Sequence, residues 1–155
     1  MIIKITNEDI KGGQLDKEAL AEFGADAVEV KGDKIIFKTD VRIAWCNSLT
    51  SVSGATFKKR VLFRECNFLA SVADVIFNSD VELYWCESLA SVKKTTFNGN
   101  ADFLRCDSLA SLADATFNGT VEFWHCDSLT SVSGATFKKG FKAIFCPNLK
   151  QEELK

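Results

Sequence analysis

The sequence lacks a surplus of positive charge, a long apolar run and an apolar leader. Its 155 residues carry 19 Lys and Arg against 21 Asp and Glu, a formal net charge of −2. Electrostatic binding of nucleic acid needs a basic surplus, so we expect no nucleic-acid partner. The apolar runs are only a few residues long, too short to cross a bilayer, so we expect no membrane partner. The first nine residues carry early acids and no apolar stretch, so we expect no signal peptide and a cytoplasmic protein.

Disorder is also excluded by composition. Apolar residues make up 46% of the chain and charged residues 26%, which is enough apolar surface for a continuous core. The length lies within the roughly 100–200 residues of one domain. Two counts stand out, 13 Phe and 6 Cys against a single Pro.

Both counts come from an internal repeat. Cysteine recurs every 20 residues, at positions 46, 66, 86, 106, 126 and 146. The segments around each cysteine are close copies, from DVRIAWCNSLTSVSGATFKK to TVEFWHCDSLTSVSGATFKK, followed by a truncated sixth copy. Self-similarity of this kind predicts a solenoid with one coil per repeat.

Constant apolar columns predict which side chains face the core. The residues five and three before each Cys alternate as in a strand with one buried face. Leu is found three residues after every Cys, and Phe eleven residues after each of the first five. The sequence therefore predicts parallel strands at residues 41–45, 61–65, 81–85, 101–105 and 121–125, with an irregular or short extended return leg carrying the stacked Phe column.

The pattern V-x-F-x-x-C-x-x-L-x-x-V resembles the leucine-rich repeat in its short, Cys-containing form. The resemblance covers residues 41 to about 149 and implies a right-handed, mostly β coil stack with one parallel sheet. Two departures are the Phe and Val that replace many leucines, and a repeat too short for a convex helix. A pentapeptide-repeat helix would bury the column Arg42, Leu62, Glu82, Asp102, Glu122, and those mostly charged residues argue against it.

The ends of the chain do not repeat. Residues 1–39 are predicted to form a small α+β N-terminal cap, with a strand at Ile2–Ile5, a helix from the N-cap Asp16 to near Phe23, and two extended segments around Gly32. Residues 40–149 form the predicted solenoid, and residues 150–155 are interpreted as a polar tail.

The cysteine column is interpreted as structural. Neighbouring thiols on a parallel stack have parallel Cβ vectors, which disfavours disulfides. A line of ligands does not converge on a metal ion, so we expect neither metal nor cofactor. His125 beside Cys126 lacks a convergent nucleophile, base and orienting group, so we expect no enzyme activity.

The positions that vary between copies carry the candidate site. They lie four, two and one residues before each Cys, on the outer side of the predicted sheet. These 18 positions hold all three Trp, the only Tyr, the only His and three of the four Arg. Such residue types dominate binding hot spots, which favours recognition of a protein or peptide. The candidate partner-binding residues are Arg42, Trp45, Arg64, Glu65, Glu82, Tyr84, Trp85, Asp102, Leu104, Arg105, Glu122, Trp124 and His125.

Two other functions stay open from the sequence. A structural or self-assembling solenoid would associate through its C-terminal edge, as a homodimer through residues 141–149. An ice-binding face would use the column Thr56, Ile76, Thr96, Thr116, Thr136, but Ile76 interrupts it and charged residues flank it.

Overall fold

The computed structural model describes residues 1–150 and is a β-solenoid of about six turns, with a 20-residue period. Strands are numbered along the chain. Little helix is present, namely a 3-10 turn at Asn7–Asp9 and α1 at Lys17–Ala21. Within the described residues, no helix is long and apolar enough to span a membrane.

The predicted sheet is present and contains seven parallel strands. Its members in spatial order are β1 (Ile2–Ile5), β6 (Asp40–Ala44), β8 (Val61–Arg64), β10 (Val81–Tyr84), β12 (Ala101–Leu104), β14 (Val121–Trp124) and β16 (Phe141–Ile144). Each residue from β6 onward pairs with its equivalent in the next coil, as Glu82 does with Asp102. Repeated side chains therefore stack directly on their copies, which is why the inward columns tolerate so little change.

The return leg is more regular than the sequence predicts, because it forms a second seven-stranded sheet. Its members are β4 (Val28–Lys31), β5 (Lys34–Phe37), β7 (Ala55–Phe57), β9 (Ile76–Phe77), β11 (Thr96–Phe97), β13 (Thr116–Phe117) and β15 (Thr136–Phe137). All neighbours are parallel except the β4–β5 hairpin. Most of these strands have only two residues, too few for alternation to show in a sequence.

Phenylalanine fills the space between the two sheets. The rings of Phe37, Phe57, Phe77, Phe97, Phe117 and Phe137 stack with successive centroids 4.5 to 5.2 Å apart. Phe63, Phe103 and Phe123 of the first sheet meet this stack edge-on at 6.0 to 6.4 Å. Aromatic pairs in these geometries contribute about 0.5–1.5 kcal/mol each beyond the burial of their area. The prediction of a buried Phe column is confirmed, with Phe137 in the last coil only partly covered.

The cysteines line the same interior. All six are free thiols, five of them buried and Cys146 partly exposed. Most thiols donate to a carbonyl of the preceding coil, as Cys66 Sγ does to Ile43 O and Cys106 Sγ to Leu83 O, both at 3.3 Å. Burial raises the pKa of the Cys106 thiol to about 12. The cysteine therefore acts as a small apolar group that also satisfies a backbone acceptor.

The N-terminal segment extends both sheets beyond the first repeat. Strand β1 pairs with β6, and β5 pairs with β7, so both sheets continue into it. A short hairpin of β2 (Ile10–Lys11) and β3 (Gln14–Leu15) brings the Gly13 carbonyl to the backbone N–H of Thr50 at 2.8 Å. Asp16 is the N-cap of α1, as predicted, but α1 ends at Ala21 rather than near Phe23.

The opposite end has no equivalent covering among the described residues. Within residues 1–150, β16 pairs only with β14, and Phe141 and Ala143 are only half-buried. Residues 151–155, which make up nearly all of the predicted polar tail, lie outside the described residues.

Candidate binding face

The outer side of the first sheet carries the varied columns. We call it the outer face and define it by the residues four, two and one before each Cys. Strand alternation directs the first two columns outward. Residues of the third column follow directly after the strands, which end one residue earlier than predicted.

That third column has an unusual backbone. The φ angles of its six residues lie between 52° and 56°, in the left-handed region; these residues are Trp45, Glu65, Trp85, Arg105, His125 and Phe145. The turn is needed because strict alternation would point the next residue, Cys, away from the core. Bulky residues pay roughly 1–2 kcal/mol for this conformation, and Gly or Asn are its usual occupants. None of the six copies uses either of these residues.

A first cluster lies at the N-terminal half of the outer face, around Arg64. The Arg64 guanidinium Cζ lies 5.3 Å from the ring centroid of Trp85 and 5.9 Å from that of Trp45. Glu65 accepts from Arg64 Nε at 3.4 Å and from Trp45 Nε1 at 3.0 Å. Arg42 also lies 5.8 Å from the Trp45 centroid. The arginine is thus held between two aromatic residues two coils apart, with a carboxylate beside it.

A second cluster lies around Asp102, at the centre of the face. A cleft of about 290 Å³ is lined by Tyr84, Asp102, Leu104, Glu122 and Trp124. Glu122 Oε2 accepts from Trp124 Nε1 at 2.8 Å. Burial, followed by the charges of Glu122 and Glu82, raises the pKa of Asp102 above its ordinary value. Burial and the same row of carboxylates also raise the pKa of Tyr84.

The remaining predicted residues belong to neither cluster. Glu82 pairs with Arg60 Nη2 at 3.2 Å, beside the second cluster. Arg105 Nη2 lies 3.7 Å from Asp107 Oδ2, and the His125 ring stacks on Phe145 with centroids 4.9 Å apart. All 13 predicted residues therefore lie on the outer face, half-buried or exposed.

Two contributors to the face were missed by the sequence analysis. Strand β1 adds Lys4 beside Arg42, because its register continues the sheet. The alternation of Ile3 and Ile5 with Lys4 was the signal that could have found it. Arg60 precedes its strand and fell outside the three columns, so its ion pair with Glu82 had no signal in the repeat.

His125 and Cys126 are adjacent in the chain but point to opposite sides of the sheet. His125 is outward and stacked, whereas Cys126 is buried and donates to Phe103 O at 3.8 Å. Within residues 1–150 no group of three or more His, Cys, Asp or Glu side chains is arranged to hold a metal ion. The face presents aromatic rings, guanidinium groups and carboxylates, with three carboxylates in one row.

Comparison with protein-family models, with curated proteins and with solved structures finds no match to this chain. The geometry of the face is therefore the basis for proposing a function.

Proposed function

We propose that this protein is a non-enzymatic binding module that recognises a protein or peptide partner through its outer face. Its repeat architecture fits the leucine-rich-repeat type that the sequence resembles, and its buried free thiols suit a reducing compartment such as the cytoplasm. The proposal depends above all on one observation, the left-handed column that carries Trp, Arg and His.

The left-handed column carries an energetic cost. Each bulky residue there costs folding free energy that Gly or Asn would avoid. Strained residues persist where another requirement outweighs the cost, and such positions concentrate at binding sites. Trp45 remains 52% exposed although it donates to Glu65 and lies near Arg64. Recognition supplies the requirement, because Trp and Arg bury much area at modest entropic cost.

The organisation of the first cluster supports the same function. Arg64 and Glu65 hold Trp45 and Trp85 in fixed positions before any partner arrives. A face that is already ordered loses less conformational entropy on binding.

Peptide selection on the immobilised protein would test the proposal. A random peptide library is selected on wild type and on a variant with Trp45, Trp85 and Trp124 changed to Ala. A matched control removes two exposed apolar side chains elsewhere, with Phe68→Ala and Ile76→Ala, which are 60% and 42% exposed. We expect selected peptides to bind wild type and the control equally and to lose at least tenfold in affinity on the triple-Trp variant. Equal loss on both variants, or no loss, would contradict the proposal.

A second candidate function is end-to-end association of two copies through residues 141–149. The observation in its favour is β16, which has one strand partner and presents Phe145 at 67% exposure. A two-fold contact would pair the two β16 edges antiparallel. Sedimentation of wild type beside Ala143→Pro tests this, since proline removes a ladder donor. Wild type that stays monomeric at high micromolar concentration would contradict it.

A further inference from the structure

Each of the two clusters of the outer face places a non-aromatic side chain between aromatic residues that lie two coils apart, although the aromatic residues come from different columns. In the first, Trp45 and Trp85 lie two coils apart, and Arg64 on the coil between them places its guanidinium near both rings. In the second, Tyr84 and Trp124 are also two coils apart, and the equivalent of Arg64 is Leu104. The second cluster thus has aromatic walls and carboxylates but no guanidinium of its own.

Of the carboxylates in and beside the second cluster, only Glu82 has an ion-pair partner among residues 1–150. Glu82, Asp102 and Glu122 occupy one register position on three adjacent strands, about 4.8 Å apart. Arg60 pairs with Glu82, and Trp124 Nε1 donates to Glu122. Within the described part of the chain, Asp102 in the middle has no cation or donor. Negative charge is concentrated at the floor of the cleft.

We infer that the cleft lined by Tyr84, Asp102, Leu104, Glu122 and Trp124 binds an arginine side chain of the partner. A planar guanidinium can stack on the aromatic rings while donating to Asp102 and Glu122. Its methylene stem would lie on Leu104. This inference deepens the proposed function by naming the partner chemistry at one subsite: a polypeptide segment that carries an exposed arginine.

Arginine is favoured over lysine by the first cluster, where a guanidinium lies near two aromatic rings and beside one carboxylate. Arg64 satisfies Glu65 with its Nε while its guanidinium faces two rings. An ammonium group is a compact point charge without a planar face, so it cannot stack on aromatic rings while donating to carboxylates from its edge.

An NMR titration of the full-length protein with Nα-acetyl-arginine amide tests the inference. The readout is the indole Nε1–H signal of Trp124, assigned with a Trp124→Phe variant. We expect this signal to shift with a dissociation constant in the millimolar range, while the indole signals of Trp45 and Trp85 stay in place. The uncharged isostere Nα-acetyl-citrulline amide should bind at least tenfold more weakly, and Nα-acetyl-lysine amide at least threefold more weakly.

Two variants and a matched control sharpen the experiment. Asp102→Asn should weaken the arginine probe at least fivefold, whereas Asp114→Asn, which removes one exposed carboxylate elsewhere, should not. Leu104→Arg should fill the cleft from within, as Arg64 does in the first cluster, and abolish probe binding while the protein stays folded. Any one of three results would overturn the inference. They are citrulline binding as tightly as arginine, equal effects of Asp102→Asn and Asp114→Asn, and undiminished binding by Leu104→Arg.

The proposed function and this inference can fail separately. If selected peptides depend on the three Trp residues but the arginine probe does not shift Trp124, the face binds a partner and the cleft has a different occupant. If the probe binds as expected but no peptide depends on the Trp residues, the arginine subsite exists and the proposal of a wider recognition surface is wrong.

Discussion

The inner and outer sides of the first sheet obey different constraints. Inward positions contact their own copies on the coils before and after, so a change in one coil disturbs two neighbours. Outward positions contact their copies too, but solvent on one side leaves room for different side chains. The Phe stack and the cysteine ladder are uniform for the first reason, and the two unlike clusters are possible for the second. The inward columns repeat closely, whereas the outward columns of the same strands vary from coil to coil.

The largest expected effect is on the inner side. Phe97→Ala should lower the free energy of unfolding by about 3–5 kcal/mol, because it removes contacts to Phe77, Phe103 and Phe117 at once. Denaturant unfolding measures the loss. Phe137→Ala, in the partly covered last coil, is the internal comparison and should cost clearly less. Equal losses would mean that the last coil is as well packed as the middle.

On the outer side, a glycine variant should be more stable than the alanine variant at one position and less stable than it at the neighbouring position. Arg105 has a φ of 56°, so Arg105→Gly should be about 1 kcal/mol more stable than Arg105→Ala. Leu104 lies in extended β12, so there the order should reverse, with Leu104→Gly less stable than Leu104→Ala. Thermal unfolding of the four variants tests the comparison. The same order of stability at both positions would contradict the backbone strain at Arg105 on which the proposed function depends.

The left-handed corners are among the features that the sequence alone did not predict. The inner columns were predictable because identical spacing assigns identical places to Phe97 and its copies. The left-handed turn at Arg105 carried no turn residue, so only the conflict between alternation and an inward Cys could have indicated it. The second sheet was missed because two residues such as Thr96–Phe97 are too few for a periodic pattern. Side-chain pairing across coils, such as Arg60 with Glu82, depends on a register that a sequence alone does not supply.

A smaller gain in stability is expected at the end of an asparagine ladder, which lies at the corner after the strands of the second sheet. Asn118 Nδ2 donates to Asn98 Oδ1 at 2.7 Å, and Asn98 Nδ2 donates to Asn78 Oδ1 at 3.0 Å. Among residues 1–150, Asn118 Oδ1 is buried and has no hydrogen-bond partner, because the next coil has Lys138 at this position. Lys138→Asn should extend the ladder and add about 0.5–1.5 kcal/mol of stability. Lys138→Asp, which offers no donor, is the control and should give no gain in unfolding experiments.

The smallest effect concerns pH and Asp102. Burial, then the charges of Glu122, Glu82 and Asp80, raise its pKa above 3.8, so folding favours the protonated form. Stability from this group is complete below pH 3.8 and is lost as the pH rises through the raised pKa. Asp102→Asn should therefore be more stable than wild type at pH 7, by less than about 1 kcal/mol, and the difference should vanish near pH 3. A variant less stable at pH 7 would show that Asp102 has a stabilising partner.

The exact register of the coils has a consequence for the shape of a ligand. The centres of the two clusters, Arg64 and Leu104, are two coils apart, roughly 9.6 Å at about 4.8 Å per coil. A β-strand laid along the stack presents side chains on one side every ~6.8 Å, which matches neither one coil nor two. A polyproline II helix rises about 9.3 Å in its three-residue turn, so residues three apart would reach both clusters from one side. A peptide lying along the stack would therefore contact both clusters as a polyproline II helix. A peptide in β conformation would instead have to lie at an angle to the stacking direction.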